Sequence, residues 1–247
     1  MGKLGSVTAF AAEASLWIAG AAIVAGAAGA HWNMPSVDVG ALIAQSWPGA
    51  SPSLVQGFTS RVTASDFQAS GSVAGTTTVS VGDKKYDGTL SGTIKLKGRD
   101  SALTITTSIA GSKTTDESVS VGDSDYGRSN GGAWTKSARS SSGVDISVLP
   151  SAGGLTDKGV QSHNGQQLHR LETTKPVDPK TIGFGDSSMS NPKFTLAFWA
   201  KADGTPAGMT IAGTWTEDMS GSPAKATMSV DFNFEKLSGV TIEAPSV

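Results

Sequence analysis

The feature that most constrains this chain is the strict alternation of apolar and polar residues in several stretches separated by glycine-bearing turns. In ATMSVDFNFEKL, Met228, Val230, Phe232 and Phe234 alternate with Ser229, Asp231, Asn233 and Glu235. In TLSGTIKLKG, Leu90, Ile94 and Leu96 alternate with Ser91, Thr93, Lys95 and Lys97, and in LTITTSIAG, Leu103, Ile105 and Ile109 alternate with Thr104, Thr106 and Ser108. A period of two gives each strand one apolar and one wet face. That pattern predicts an antiparallel sheet, because parallel strands are covered on both sides and read as continuous apolar runs.

Composition agrees. The 34 Ser, 25 Thr and 31 Gly make up 90 of 247 residues, a vocabulary of pleated strands and turns. Charged residues, at 16%, are too sparse for long solvated helices. The net charge is -2 and no basic stripe exists, which excludes nucleic acid as the main partner.

Seventeen uncharged residues run from Ala14 to Ala30, preceded by Lys3 and followed by His31. The run is rich in Ala and Gly and poor in large aliphatics, so it reads as a signal h-region more readily than as a spanning helix. Ala28-Gly29-Ala30 supplies an A-x-A cleavage pattern. The expected division is therefore a signal peptide or uncleaved membrane anchor over 1–30 and a single domain over 31–247, exported to the cell envelope or secreted. The chain has no cysteine, so it offers no disulfide, no thiolate and no attachment point for a bacterial lipid anchor.

Between Ser36 and Val62 two short helices are expected. The first carries Val39, Leu42 and Ile43; the second opens at Ser51-Pro52 and carries Leu54, Val55, Phe58 and Val62. An internal repeat follows: Val79-Ser80-Val81-Gly82-Asp83-x-x-Tyr86 recurs as Val119-Ser120-Val121-Gly122-Asp123-x-x-Tyr126. It reads as a strand, a Gly-Asp turn and a returning strand used twice. Tyr126 and Trp134 are expected on neighbouring strand positions. A loop and short helix are expected before Leu155, a hairpin around Asn164-Gly165, and a short helix from Asp178-Pro179 to near Gly183. Strands FTLAFWA from Phe194 and MTIAGTW from Met209 flank a turn at Asp203-Gly204.

Catalytic chemistry finds few candidates. His163 and His169 flank the Asn164-Gly165 turn and could face one another, but two imidazoles without a carboxylate make a poor metal site. Gly122-Asp123-Ser124 and Gly185-Asp186-Ser187 resemble the start of a GDS hydrolase block, yet no histidine follows His169 to complete it. Asp116-Glu117 lies in a Thr-rich region and reads as solvated rather than as a glycosidase pair. No catalytic residue, metal or cofactor is assigned.

Three segments carry a family resemblance: Val121-Gly122 through Tyr126-Gly127-Arg128 to Gly132-Ala133-Trp134; Gly159-Val160 through Gly165 to His169-Arg170-Leu171; and Phe198-Trp199-Ala200-Lys201-Ala202-Asp203-Gly204-Thr205-Pro206. In this order, and with the helices and strands around them, they resemble the LolA/LolB-like lipoprotein-carrier fold. The closer likeness is to its actinobacterial branch, the LppX/LprG/LprA/LprF family of lipid-binding lipoproteins, over about residues 36 to 244. The resemblance implies an α+β half-barrel, a strongly curved antiparallel sheet with a few short helices packed on its concave side, enclosing an apolar cavity for acyl chains. The lipobox cysteine of that family is missing here.

The alternation puts Leu90, Ile94, Leu96, Leu103, Ile105, Met209, Ile211, Met228, Val230, Phe232 and Phe234 on the concave face. These are the lipid-cavity candidates, although core packing accounts for each of them equally well. The expected partners are a lipid or lipidated molecule, the membrane through the N-terminal segment, and an envelope protein. The expected function is a non-catalytic lipid or lipoprotein carrier or sensor; the alternative is an exported β-rich domain that binds protein or glycan or is structural.

Overall fold

A computed structural model describes residues 52–139, 154–177, 189–219 and 222–247. The expected leader, the helix around Val39 to Ile43, the short helix before Leu155, the helix from Asp178 and the Gly185-Asp186-Ser187 block lie outside these residues. The described elements are helix α1 (Pro52–Val62) and strands β1 (Gln68–Val81), β2 (Lys84–Lys97), β3 (Asp100–Ile109), β4 (Ser112–Val121), β5 (Ser124–Ser129), β6 (Thr135–Ala138), β7 (Leu155–His163), β8 (Gln166–Thr173), β9 (Ser190–Ala200), β10 (Pro206–Met219) and β11 (Ser222–Lys236).

All the strands join one curved, unclosed antiparallel sheet in the order β6-β5-β4-β3-β2-β1-β11-β10-β9-β8-β7. Every neighbour in this order is also a neighbour in sequence except β1 and β11, which pair over twelve register positions from Ser70↔Lys236 to Val81↔Ala224. The open seam therefore falls mid-sequence, between β6 and β7.

Turn chemistry explains the meander. Val81↔Lys84, Lys97↔Asp100 and Val121↔Ser124 close two-residue turns whose first residue is Gly82, Gly98 or Gly122, with φ of 56°, 55° and 58°. A glycine at the first central position matches the type II′ turn, whose twist suits the flanking strands. Asn164-Gly165 does the same for β7 and β8 with both residues at positive φ, 49° and 76°. Both copies of the repeat are hairpins of this kind, as expected.

Residue parity shows which face each copy serves. Buried apolar residues are odd-numbered on β1 (Val73, Val79), even on β2 (Leu90, Ile94) and odd on β3 (Ile105, Ile109). Each two-residue turn flips the parity, so on β4 the even residues face the core. A forty-residue repeat preserves parity, and the Val119↔Tyr126 pair therefore lies on the outer face while Val79↔Tyr86 lies on the core face.

The core face is built in an unusual way on β1 and β2. Four successive cross-strand pairs, Gly71↔Ile94, Val73↔Gly92, Gly75↔Leu90 and Thr77↔Gly88, each contain one glycine. A Cβ at Gly71 would stand 1.7 Å from the Asn233 carbonyl oxygen, and one at Gly92 would stand 1.8 Å from that of Thr104. The neighbouring backbones thus occupy the space a side chain would take, which lets the sheet coil tightly here.

One helix packs on the core face among the described residues. Leu54, Val55, Phe58 and Val62 follow helical spacing and are all buried, and Phe58 meets Phe198 at 5.2 Å between ring centroids. Complete burial of Phe58 contributes roughly 1.5–3 kcal/mol. The β9–β10 turn holds the helix from below. Gly204 has φ of 79°, and a Cβ there would come within 2.9 Å of the Phe58 amide nitrogen. Beside it Arg61 donates to Thr205 and pairs with Asp203 at 3.6 Å. No described helix is long and apolar enough to cross a membrane.

Candidate functional site

The strand register brings the eleven cavity candidates onto one face. Met209 and Ile211 on β10 oppose Phe232 and Val230 on β11; β1 follows; and Leu90, Ile94 and Leu96 on β2 stand beside Leu103 and Ile105 on β3. Nine of the eleven are buried in a single hydrophobic cluster, and Leu103 and Phe234 pack against it half-buried. The glycines of β1 and β2 lie among them, so this part of the face carries a sparse side-chain layer.

The candidates do not exhaust that face. Phe194, Leu196 and Phe198 on β9 and Trp215 on β10 belong to the same cluster, as do the apolar residues of α1. Every residue from Leu196 to Ala200 is buried, so both faces of β9 are covered at that point. The continuous apolar run FTLAFWA was the sequence signal for this, and alternation alone misses it.

Towards the β6 edge the core face turns polar. Asp116, Ser120 and Asp125 are only 5 to 6% exposed. Ser129 Oγ donates to Asp116 Oδ1 at 2.5 Å, and Ser120 Oγ donates to Asp125 Oδ1 at 2.6 Å. Burial pushes the Asp116 carboxyl above its ordinary range, and the Ser129 hydrogen bond opposes this. Its neighbour Glu117 points the other way and pairs with Arg128, which also lies 4.6 Å over the Trp134 ring. Trp134 precedes β6 in a loop rather than occupying a strand position beside Tyr126, because the chain turns through Asn130-Gly131 before it.

The two histidines occupy opposite faces. His163 is on the outer face, stacked on Trp199 with centroids 4.0 Å apart, and Arg170 lies over the same indole. The Trp199 indole N–H donates to Thr210 Oγ1 at 2.8 Å, and that hydroxyl donates to Asp231. His169 is on the core side, with Nδ1 3.0 Å from Asp157 Oδ2. They do not face one another across the hairpin, since His163 pairs with Gln166 and His169 with Val160.

A pocket of about 370 Å³ opens where the β7–β8 turn overhangs the end of the sheet. Asn164 Nδ2 reaches 3.0 Å from His163 Nε2 and also donates to Asn233 Oδ1 on β11, although β9 and β10 stand between β8 and β11 in the sheet. Phe234, Leu237, Leu168, Pro206 and Ala207 form the apolar part of the lining; His163, Asn164, Gln166, Asn233, Lys201 and Glu235 form the polar part. Phe234 belongs both to this pocket and to the cavity candidates. The other ten candidates do not line it.

The chain is similar to LprF from Mycobacterium bovis. That crystal structure shares 12% identity, covers 78% of this chain and 96% of its own, and aligns with a TM-score of 0.38. A DUF1329 family protein from Desulfovibrio piger aligns with a TM-score of 0.27 at 12% identity, covering 75% of this chain and 95% of that one. The ywiB protein from Bacillus subtilis aligns with a TM-score of 0.26 at 7% identity, covering 68% and 96%. No family model matches the chain, and no curated protein matches it.

Proposed function

We propose that this chain is a non-catalytic carrier or sensor of acylated lipids on the exported side of a bacterial membrane, holding apolar tails against the core face of its half-barrel. The observation that carries this reading is the glycine alternation of β1 and β2. Where each cross-strand pair gives up one side chain the neighbouring backbones close in and the sheet coils, and the apolar neighbours Leu90, Ile94, Val230 and Phe234 line the curved face so formed, which suits methylene chains laid along it. The leader-like N-terminus supports export. Among the described residues His169 pairs with Asp157 but no hydroxyl hydrogen-bonds its ring, which supports a role without catalysis, because a nucleophile–base–carboxylate arrangement needs all three members within hydrogen-bond reach.

Native mass spectrometry of protein purified from its own host is expected to show co-purifying lipid, and the delipidated protein is expected to bind a fluorescent fatty acid. A clean apo mass together with no fatty-acid binding overturns the proposal.

A further inference from the structure

The pocket under the β7–β8 turn has properties that an acyl-chain site does not need. Lys201 and Glu235 both line it, yet their side chains are paired neither with each other nor with any other charge among the described residues. With one cation and one anion the lining is formally neutral, which disfavours a simple anion such as phosphate or a fatty-acid carboxylate. Asn164 spends both amide hydrogens on His163 and Asn233, leaving its Oδ1 as an acceptor, while the Asn233 amide nitrogen retains its donors. Donors, acceptors and both signs of charge thus share one concavity, walled on its apolar side by Phe234.

Phe234 links this pocket to the core face. It opposes Gly71 across β1 and β11, meets Phe67 edge-on at 6.3 Å, and packs against the main hydrophobic cluster. His163 and Asn233 place the pocket on the outer side of the sheet's end while Phe234 turns to the core face, so an amphiphile with its head in the pocket passes round the strand ends at Phe234 to lay its tail along the core face.

Resting on the carrier reading above, we propose that the pocket takes a zwitterionic group, with the ligand's ammonium directed to Glu235 and its anionic oxygens to Lys201. The fitting lipid class is a phospholipid of the phosphoethanolamine type. The same chemistry exists in a free small zwitterion, and the experiment separates the two sources.

Delipidated full-length protein is incubated with vesicles of phosphatidylethanolamine or of phosphatidylglycerol, and the extracted lipid is quantified. Soluble phosphoethanolamine is titrated in parallel by NMR. Wild type is expected to extract phosphatidylethanolamine about tenfold better, the equivalent of about 1.4 kcal/mol. Lys201→Glu and Glu235→Lys, both at exposed positions, are each expected to abolish the preference while fluorescent fatty-acid binding persists. Extraction without head-group preference, or a preference that survives both reversals, overturns the zwitterion site and leaves the carrier reading standing. If no lipid is extracted but soluble phosphoethanolamine binds and is lost in both variants, the carrier reading fails and the site stands for the free ligand. Failure of both arms overturns the site.

Discussion

Tyr86 and Tyr126 close two copies of one repeat and point to opposite sides of the same sheet. Tyr86 packs against the core cluster, whereas Tyr126 lies on the outer face with Lys136 5.5 Å over its ring. The same Val-Ser-Val-Gly-Asp-x-x-Tyr motif therefore serves two environments, and the number of intervening turns sets which face each copy presents.

This inversion gives a paired test. Val79→Thr places a hydroxyl in the buried core face and is expected to cost about 1–3 kcal/mol. Val119→Thr, at the matching position of the second copy, is expected to stay within about 0.5 kcal/mol. Urea unfolding midpoints of the two variants check the assignment of faces, and equal losses would contradict it.

Gly204→Ala is expected to loosen α1. Positive φ and the close Phe58 nitrogen both act against a Cβ there, at a cost of roughly 1–3 kcal/mol. Hydrogen exchange should rise first in the amides of α1. A variant as protected as wild type would mean that the turn does not hold the helix.

A Cβ at Gly213 would fall 2.4 Å from the Phe194 ring, so Gly213→Ala is expected to destabilise through that contact. Adding Phe194→Leu should recover part of the loss. The two changes are then non-additive by about 0.5–3 kcal/mol in a double-mutant cycle, and strict additivity would rule the contact out.

Asp116 and Asp203 should oppose each other in pH dependence. Burial raises the Asp116 carboxyl in the folded state, so its contribution to stability is fully present below the unfolded carboxylate range and is lost as pH rises through the folded value. Hydrogen bonds from Thr205, aided by Arg61, hold the Asp203 carboxyl below its ordinary range. Its contribution is present above the unfolded range and is lost as pH falls. Asp116→Asn should gain relative to wild type on going from acid to neutral pH, and Asp203→Asn should lose; thermal midpoints at pH 3 to 7 decide this.

Much of the strand framework was legible because alternation and turn chemistry are local. The strand from Met228 to Glu235, the turns at Gly82, Gly98 and Gly122, and the Asn164-Gly165 hairpin all follow from residues adjacent in sequence. The face of Val119 did not follow, because it depends on counting parity through three turns. Nor did the pocket, which joins Asn164 to Asn233 across strands far apart in sequence. The glycines at 71, 75, 88 and 92 interrupt an apolar pattern when read singly, and their pairing is apparent only once β1 and β2 are in register.

The β1–β11 ladder joins residues roughly 150 positions apart, whereas all other ladders join strands consecutive in sequence. Pairing across so long a loop carries a larger closure entropy than any of the local hairpins, so it is expected to follow them in folding. The molecule is thus two meanders, one ending at β6 and one beginning at β7, fastened by one long-range ladder and by α1 of the first seated on the β9–β10 turn of the second. A chain cut at the seam would keep every ladder but β1–β11 within one fragment or the other, and would depend on that ladder and on the seating of α1 against β9 and its following turn to bring the two together.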